Sequence, residues 1–170
     1  MRRMTLLAPM LLAALLSLGC STFSGRSQES GRSLQAEVLE YLDAGRPKAA
    51  LAAADQLVLE APDDYNSYLT RNAVHLVLRD FESARADNEK ALSVFEANRD
   101  SYPEKERNYR QAKIHESMAL TELVASRRAR DSSERQALEA RFREQAAKVK
   151  ALDEETWKNL QGLTGQAVGE

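Results

Sequence analysis

The chain has 170 residues, of which 24 are basic and 26 are acidic, and its formal net charge is −2. It contains one cysteine, Cys20, so no disulfide can form within the chain and no cluster of thiolates can hold a metal. The slight excess of acidic residues argues against nucleic acid or an anionic lipid surface as the main partner.

The first twenty residues have the three parts of a secretory signal sequence. Arg2 and Arg3 form a positively charged start, an apolar segment follows at residues 4–18, and small residues flank Cys20. A helix of this length extends roughly 22 Å, which is shorter than the roughly 30 Å hydrocarbon core of a bilayer. The sequence therefore predicts a signal peptide over residues 1–19 and not a permanent transmembrane helix.

Two kinds of peptidase could cut before Cys20. Ser17 and Gly19 fit the pattern of the general signal peptidase, whereas an apolar segment ending in Gly-Cys resembles the lipobox of bacterial lipoproteins, in which Leu usually stands at the place of Ser17. A lone cysteine in an exported protein is a free thiol, an intermolecular bridge or a modified residue, and its place at this junction favours modification. The lipoprotein resemblance implies that Cys20 becomes the N-terminal residue and carries a diacylglycerol and an amide-linked acyl chain. Because Ser21 follows instead of Asp, it also implies the outer membrane, with the domain facing the periplasm.

The segment after this cysteine is polar and small. Residues 21–33 contain five serines and two glycines, a composition typical of a flexible tether. We therefore predict a lipidated N-terminus and tether at residues 20–33, a helical domain at 34–164 and a short tail at 165–170.

From Leu34 onward, apolar residues recur at helical spacing, and no segment has the alternation that is typical of strands. Gly45 and Pro47 predict a turn after the first helix, and Asp64 is a predicted N-cap of the third. The apolar stripes of the first four helices are Leu34, Val38, Tyr41 and Leu42; Ala50, Leu51, Ala54, Leu57 and Val58; Tyr68, Leu69, Ala73, Leu76 and Val77; and Phe81, Ala84, Ala91, Leu92 and Phe95.

These four helices form two copies of one unit. An offset of 34 residues places Ala50 on Ala84 and Leu57 on Ala91. The unit resembles the tetratricopeptide repeat, a helical hairpin of that period. The residues that carry the resemblance are Tyr41, Gly45, Ala50 and Pro62 in the first copy and Tyr68, Phe81, Ala84, Ala91 and Leu92 in the second. Asn72 and Arg79 depart from the family pattern, which has a small residue and a glycine at these positions.

A third, degenerate unit is predicted after an insertion that contains the string ANRDSYPEKER. Its first helix is predicted from about Pro103 to Arg128, and a long last helix from about residue 132 to Gln161, with Asp131 or Ser132 as its cap. The predicted fold class is all-α: a short tetratricopeptide-like solenoid of about three helical hairpins with a long C-terminal capping helix.

The apolar stripe of that last helix has a second interpretation. Leu138, Phe142, Val149 and Leu152 follow a heptad in which Gln145 is the weak position, so the helix could instead form a coiled coil with a partner.

Catalytic groups are sparse in the sequence. His75 and His115 occupy equivalent helical positions and could be imagined as a metal or acid/base pair, but both match Tyr41, which favours a packing role. No zinc-protease motif, nucleophile elbow or phosphate-binding loop is present. We therefore predict no enzymatic activity, no metal and no cofactor.

The repeat resemblance implies a concave groove, lined by the first helix of each hairpin, that binds peptides. The residues carried over to this groove are Gln35, Leu39, Leu42, Asp43, Asn66, Leu69, Ala73 and Leu76. The alternative is that Leu39 and Leu69 merely pack against neighbouring helices.

The expected function is that of a membrane-anchored periplasmic scaffold or adaptor, which assists assembly of a cell-envelope complex such as pilus, secretion, export or cell-wall machinery. The alternative is a structural lipoprotein that self-associates, or pairs with a helical partner, through its last helix. The expected partners are other envelope proteins and the membrane, through the N-terminal lipid, and not nucleic acid.

Overall fold

The computed structural model describes residues 22–165, and the side chains from residue 33 onward. This part of the chain contains α-helices and one turn of 3₁₀ helix, and no strand. The helices are α1 (Thr22–Asp43), α2 (Pro47–Glu60), α3 (Tyr65–Leu78), α4 (Phe81–Ala97), α5 (Glu104–Ser126), α6 (Ser132–Leu152) and α7 (Glu154–Thr164). The predicted all-α class is confirmed.

The helices pack as a row of three hairpins. α1 packs on α2, α3 on α4 and α5 on α6, while α2 also contacts α3 and α4 contacts α5. The first helices of successive hairpins meet as well, since α1 contacts α3 and α3 contacts α5. α7 lies against α5 and α6 and closes the row. The predicted number of hairpins is therefore confirmed.

The C-terminal segment differs from the prediction of one unbroken helix to about Gln161. It is divided at Asp153, whose backbone is extended (φ −154°) and whose carboxylate accepts hydrogen bonds from the Thr156 backbone N–H and hydroxyl, both at 2.8 Å. An aspartate in this position satisfies N–H groups that a new helix would otherwise leave free. α6 is consequently the second helix of the third hairpin, and α7 alone is the cap.

The start of the helical domain also differs from the prediction. α1 begins at Thr22, inside the predicted tether. Once the packed half of α1 has formed, each further residue adds a helical hydrogen bond without a new nucleation cost, which favours extension toward the N-terminus. The predicted signal peptide, Cys20 and residues 166–170 lie outside the described residues.

Three apolar clusters hold the row together, and each joins consecutive helices. The first comprises Val38, Ala50, Ala53, Ala54 and Val74; the second Tyr65, Tyr68, Ala91, Val94, Phe95 and Ile114; the third Ala119, Leu123, Phe142, Ala146, Val149, Trp157 and Leu160. The fully buried alanines of α2 and α4 allow the neighbouring helices to approach closely. No helix between residues 22 and 165 is long and apolar enough to cross a membrane.

The buried face of α3 is not the apolar stripe that the sequence predicts. Tyr68 is buried, but Ala73 and Val77 are exposed, and the polar residues Ser67 and Asn72 are buried instead. A helix can bury polar side chains when their hydrogen bonds are satisfied inside the protein. Asn72 meets this condition.

The amide of Asn72 joins the second hairpin to the third. Its Nδ2 donates to the Ala84 carbonyl at 2.7 Å and to Thr121 Oγ1 at 3.2 Å. Asn88 Nδ2 donates to the same Thr121 oxygen at 3.0 Å, and the Ser117 hydroxyl lies 2.8 Å from Asn88 Oδ1. Asn72 therefore departs from the repeat pattern because it belongs to a buried polar network between α3, α4 and α5.

Arg79 takes the backbone conformation that glycine takes in the first hairpin. Its φ of 64° matches the 66° of Gly45. Side chains other than glycine adopt this left-handed region at a cost of about 1 kcal/mol or more. We expect Arg79→Gly to raise the free energy of unfolding by about 0.5–1 kcal/mol, the relieved strain being partly offset by the greater chain entropy of glycine. Urea denaturation followed by circular dichroism measures this change.

The matched control is Arg127→Gly at the end of α5. Arg127 is also an exposed arginine at a helix C-terminus, but its φ of −66° is right-handed. Glycine relieves no strain there and should lower stability by up to about 1 kcal/mol. Loss of stability in both variants would show that the strain at Arg79 is negligible.

Candidate partner-binding surface

The residues that the repeat resemblance assigns to the groove lie on α1 and α3, which are neighbours in the row. Gln35 Nε2 of α1 donates to Thr70 Oγ1 of α3 at 3.5 Å, so the two helices meet along this side. Leu39, Asp43 and Ala73 are exposed, whereas Gln35, Leu42, Asn66, Leu69 and Leu76 are half-buried. The structure therefore brings these residues to neighbouring helices but leaves only part of the set open to a partner.

The two leucines for which a packing role was the alternative behave differently. Of these two, Leu69 packs against the second apolar cluster. Leu42 of α1, another residue assigned to the groove, packs against the first cluster. Leu39 is 61% exposed. Packing therefore accounts for Leu69, and Leu39 remains available.

Val77 was not among the carried-over residues, although it is 56% exposed and follows Ala73 by one helical turn. The offset of 34 residues places Val77 on Asp43, so the repeat alignment contained the signal. The apolar character of Val77 instead predicts a buried position in the stripe of α3. Leu39, Ala73 and Val77 are called the apolar strip below.

His75 lies in the second hairpin between two carboxylates. Its Nε2 is 3.7 Å from Asp87 Oδ2, and its Nδ1 is 3.7 Å from Asp80 Oδ2. These distances are too long for hydrogen bonds, and the buried Nδ1 has no hydrogen-bond partner within the described residues. Residues 22–165 contain no group of three histidine, cysteine or acidic side chains that could hold a metal ion.

His115, at the equivalent position of the third hairpin, is buried between α5 and α6. Its Nδ1 donates to Gln145 Oε1 at 2.9 Å, since an amide oxygen can only accept. Gln145, the weak position of the predicted heptad, therefore faces a histidine of its own chain. Burial lowers the pKa of His115 below its ordinary value, because the charged form loses hydration.

This lowered pKa predicts a loss of stability in mild acid. As the pH falls below about 6.5, the unfolded chain protonates the histidine before the folded chain does, so the unfolded state gains stability. We expect His115→Gln, which keeps a polar side chain beside Gln145 but cannot titrate, to lose less stability than the wild type between about pH 7 and about pH 5.5. Urea denaturation at both pH values tests this, and an equal loss in the two proteins would contradict it.

No protein-family model matches the chain, and comparisons with curated proteins and with solved structures find no significant match. The surface of the described helices and the N-terminal sequence are therefore the features that bear on function. On that surface, the apolar strip places Leu39 and Val77 on the first helices of adjacent hairpins.

Proposed function

We propose that the chain is a membrane-anchored scaffold or adaptor, held at the outer membrane by lipid on Cys20, that assists assembly of a cell-envelope complex of the pilus, secretion, export or cell-wall type. The observation that carries the binding role is the apolar strip. The lipobox-like sequence around Cys20 supports the anchor, and the spacing of the repeats supports peptide binding along the first helices of the hairpins.

A partner that covers the apolar strip would gain binding free energy from the burial of its side chains. Covering a leucine or valine side chain fully is worth about 1.5–3 kcal/mol. Single exposed apolar residues are common on protein surfaces, but exposed apolar residues on two adjacent helices can be covered by one partner. Leu39 and Val77 lie on helices that contact each other, with Ala73 one turn before Val77. A peptide that presents apolar side chains to α1 and α3 would cover all three residues.

Anchoring would make a weak contact sufficient. Confinement of the domain and its partner to one membrane raises their effective concentration, so a surface of modest size can act without high intrinsic affinity. α1 begins at Thr22, so Ser21 alone separates it from Cys20. The lipid would therefore be joined to the hairpins through the N-terminal part of α1.

The contacts of α6 do not favour the alternative of self-association through the last helix. Leu138, Phe142 and Val149 are all buried, and the last two belong to the third apolar cluster with side chains of α5 and α7. A coiled-coil seam at these positions would require that cluster to open.

The binding role is tested by crosslinking in the native bacterium. Partners are first identified by a photoreactive residue at position 73. Leu39→Glu and Val77→Glu are then expected to abolish recovery of those partners without changing helicity, because both side chains are exposed. Leu59→Glu is the matched control, since Leu59 is 75% exposed on α2, outside the apolar strip. Equal recovery from all three variants would refute the proposed surface.

The anchor has a separate test. Cys20→Ser is expected to move the protein from the membrane fraction to the soluble periplasmic fraction, because the lipid attachment atom is lost. If this variant stays in the membrane fraction, and an inhibitor of the lipoprotein signal peptidase leaves maturation unchanged, the lipid anchor is wrong.

A further inference from the structure

A cleft of about 480 Å³ opens between α4 and α6, with α5 as its floor. It exists because both helices pack against α5, whereas contacts between α4 and α6 themselves are marginal. The volume falls within the range of about 300–1,000 Å³ that is usual for small-molecule sites. The cleft is distinct from the apolar strip, since none of its lining residues belongs to α1 or α3.

Two of the carboxylates in the cleft are already paired, that of Glu144 with Lys148 of the same helix at 2.8 Å and that of Glu122 with Arg85. Arg85 Nε and Nη2 donate to the two carboxylate oxygens of Glu122 at 2.8 and 3.0 Å. This hydrogen bonding raises the pKa of Arg85, and the carboxylate of Glu122 is buried beneath it. The pair braces α4 against α5 and leaves no charge for a ligand.

Two further charges in the cleft have no partner. Arg141 of α6 and Glu89 of α4 both line it, and neither forms a hydrogen bond or an ion pair with another residue of the described chain. They have opposite sign and stand on opposite walls. A ligand with one charge would leave one of them unmatched, whereas a zwitterion can satisfy both.

The remaining lining groups suit the middle of such a ligand. Gln145 Oε1 is occupied by His115, which leaves the Nε2 amide free to donate toward a carbonyl in the cleft. Met118 is half-buried in the α5 floor and offers a flexible apolar contact. The cleft thus has a cation and an amide donor on α6, an apolar contact from Met118 on α5 and an anion on α4.

We propose that this cleft binds a short peptide with free termini. Arg141 binds the terminal carboxylate, for which a guanidinium offers a two-pronged match, and Glu89 binds the terminal ammonium. Gln145 donates to a peptide carbonyl and Met118 contacts an apolar side chain. The site is independent of the lipid anchor and of the apolar strip, so it goes beyond the proposed function.

Isothermal titration of the purified full-length chain in detergent tests the proposal, with the tripeptide Ala-Leu-Ala as the probe. Blocking either terminus, by N-acetylation or by C-terminal amidation, is expected to weaken binding by about two- to fivefold, the scale of an ion pair with a solvent-exposed side chain. Arg141→Gln should weaken the free peptide by a similar factor but leave the amidated peptide unchanged. Glu89→Gln should likewise weaken binding of the free peptide but leave binding of the N-acetylated peptide unchanged.

Arg143→Gln on α6 and Glu82→Gln on α4 are the matched controls, because both residues are exposed and outside the cleft lining. Both should bind like the wild type, and all four variants should keep wild-type helicity. The proposal is overturned if the free tripeptide shows no heat of binding at millimolar concentration. It is equally overturned if the amidated peptide binds as tightly as the free one, or if Arg141→Gln is no weaker than Arg143→Gln.

Discussion

Replacement of Phe142 by alanine is expected to lower the free energy of unfolding by about 3–5 kcal/mol, a large part of the roughly 5–15 kcal/mol by which a domain is stable. Phe142 is 4% exposed and packs in the third apolar cluster between α5, α6 and α7. Truncation removes the transfer free energy of the ring and leaves a cavity that the surrounding helices fill only in part. Urea denaturation followed by circular dichroism gives the size of the change.

Arg143→Ala is the control for this prediction. Arg143 is the next residue of α6 and is exposed, so its loss should change stability by no more than about 0.5 kcal/mol. The two interpretations of α6 give opposite results. A coiled-coil seam would make Phe142→Ala dissociate a dimer while the monomer kept its stability, and that outcome would refute the packing of the third hairpin.

The repeat spacing and the turn chemistry were sufficient to predict the hairpins. Gly45 ends α1 in the left-handed conformation, and the Asp64 carboxylate accepts from the Asn66 backbone N–H at 2.9 Å, both as predicted. These features depend on residues a few positions apart, which periodicity and capping rules can detect. The N-cap of α6 was resolved in favour of Asp131, which accepts from the Ser133 N–H.

What the sequence did not reveal depends on distant partners. The apolar stripe suggested a different buried face for α3. The observed face includes Asn72, whose hydrogen bond to Thr121 joins residues 49 positions apart, and local periodicity does not detect such a partner. The break at Asp153 was missed because an aspartate inside a helical pattern can continue the helix or cap a new one. Only the packing of Trp157 and Leu160 onto the third cluster decides between the two.

The candidate sites follow the same division. The groove positions were predicted by alignment, and the alignment would also have found Val77 if apolar character had not suggested burial. The cleft could not be predicted, because it lies between α4 and α6, which are not consecutive.

In the joint before α5, Tyr102 stacks on Phe95 with ring centroids 5.7 Å apart, and Arg110 lies 4.6 Å over the same tyrosine ring. No periodicity rule predicts how such a joint spaces the helices on either side.

Replacement of Arg71 by methionine is expected to lower the free energy of unfolding by about 3–5 kcal/mol. The Arg71 guanidinium donates to both carboxylate oxygens of Asp87, with its closest contact at 2.6 Å, and to Asp55 Oδ1 at 3.0 Å. It therefore ties α3 to α4 and α2. Hydrogen bonding to Asp87 raises the pKa of Arg71, so the guanidinium stays charged. The Asp87 side chain is only 5% exposed, and without Arg71 its charge would be buried without its main partner.

Two further variants separate the buried charge from lost packing. In Arg71→Met/Asp87→Leu no buried charge is left unpaired, and replacing a buried ion pair by apolar residues is often close to neutral, so the double variant should recover most of the loss. Asp55→Asn removes the outer partner, whose side chain is 52% exposed, and should cost less than about 1 kcal/mol. A double variant no more stable than Arg71→Met would mean that the loss comes from the packing of the Arg71 side chain between the helices and not from the buried charge of Asp87. Recovery would instead show that the loss in Arg71→Met comes from the buried carboxylate of Asp87 left without its partner.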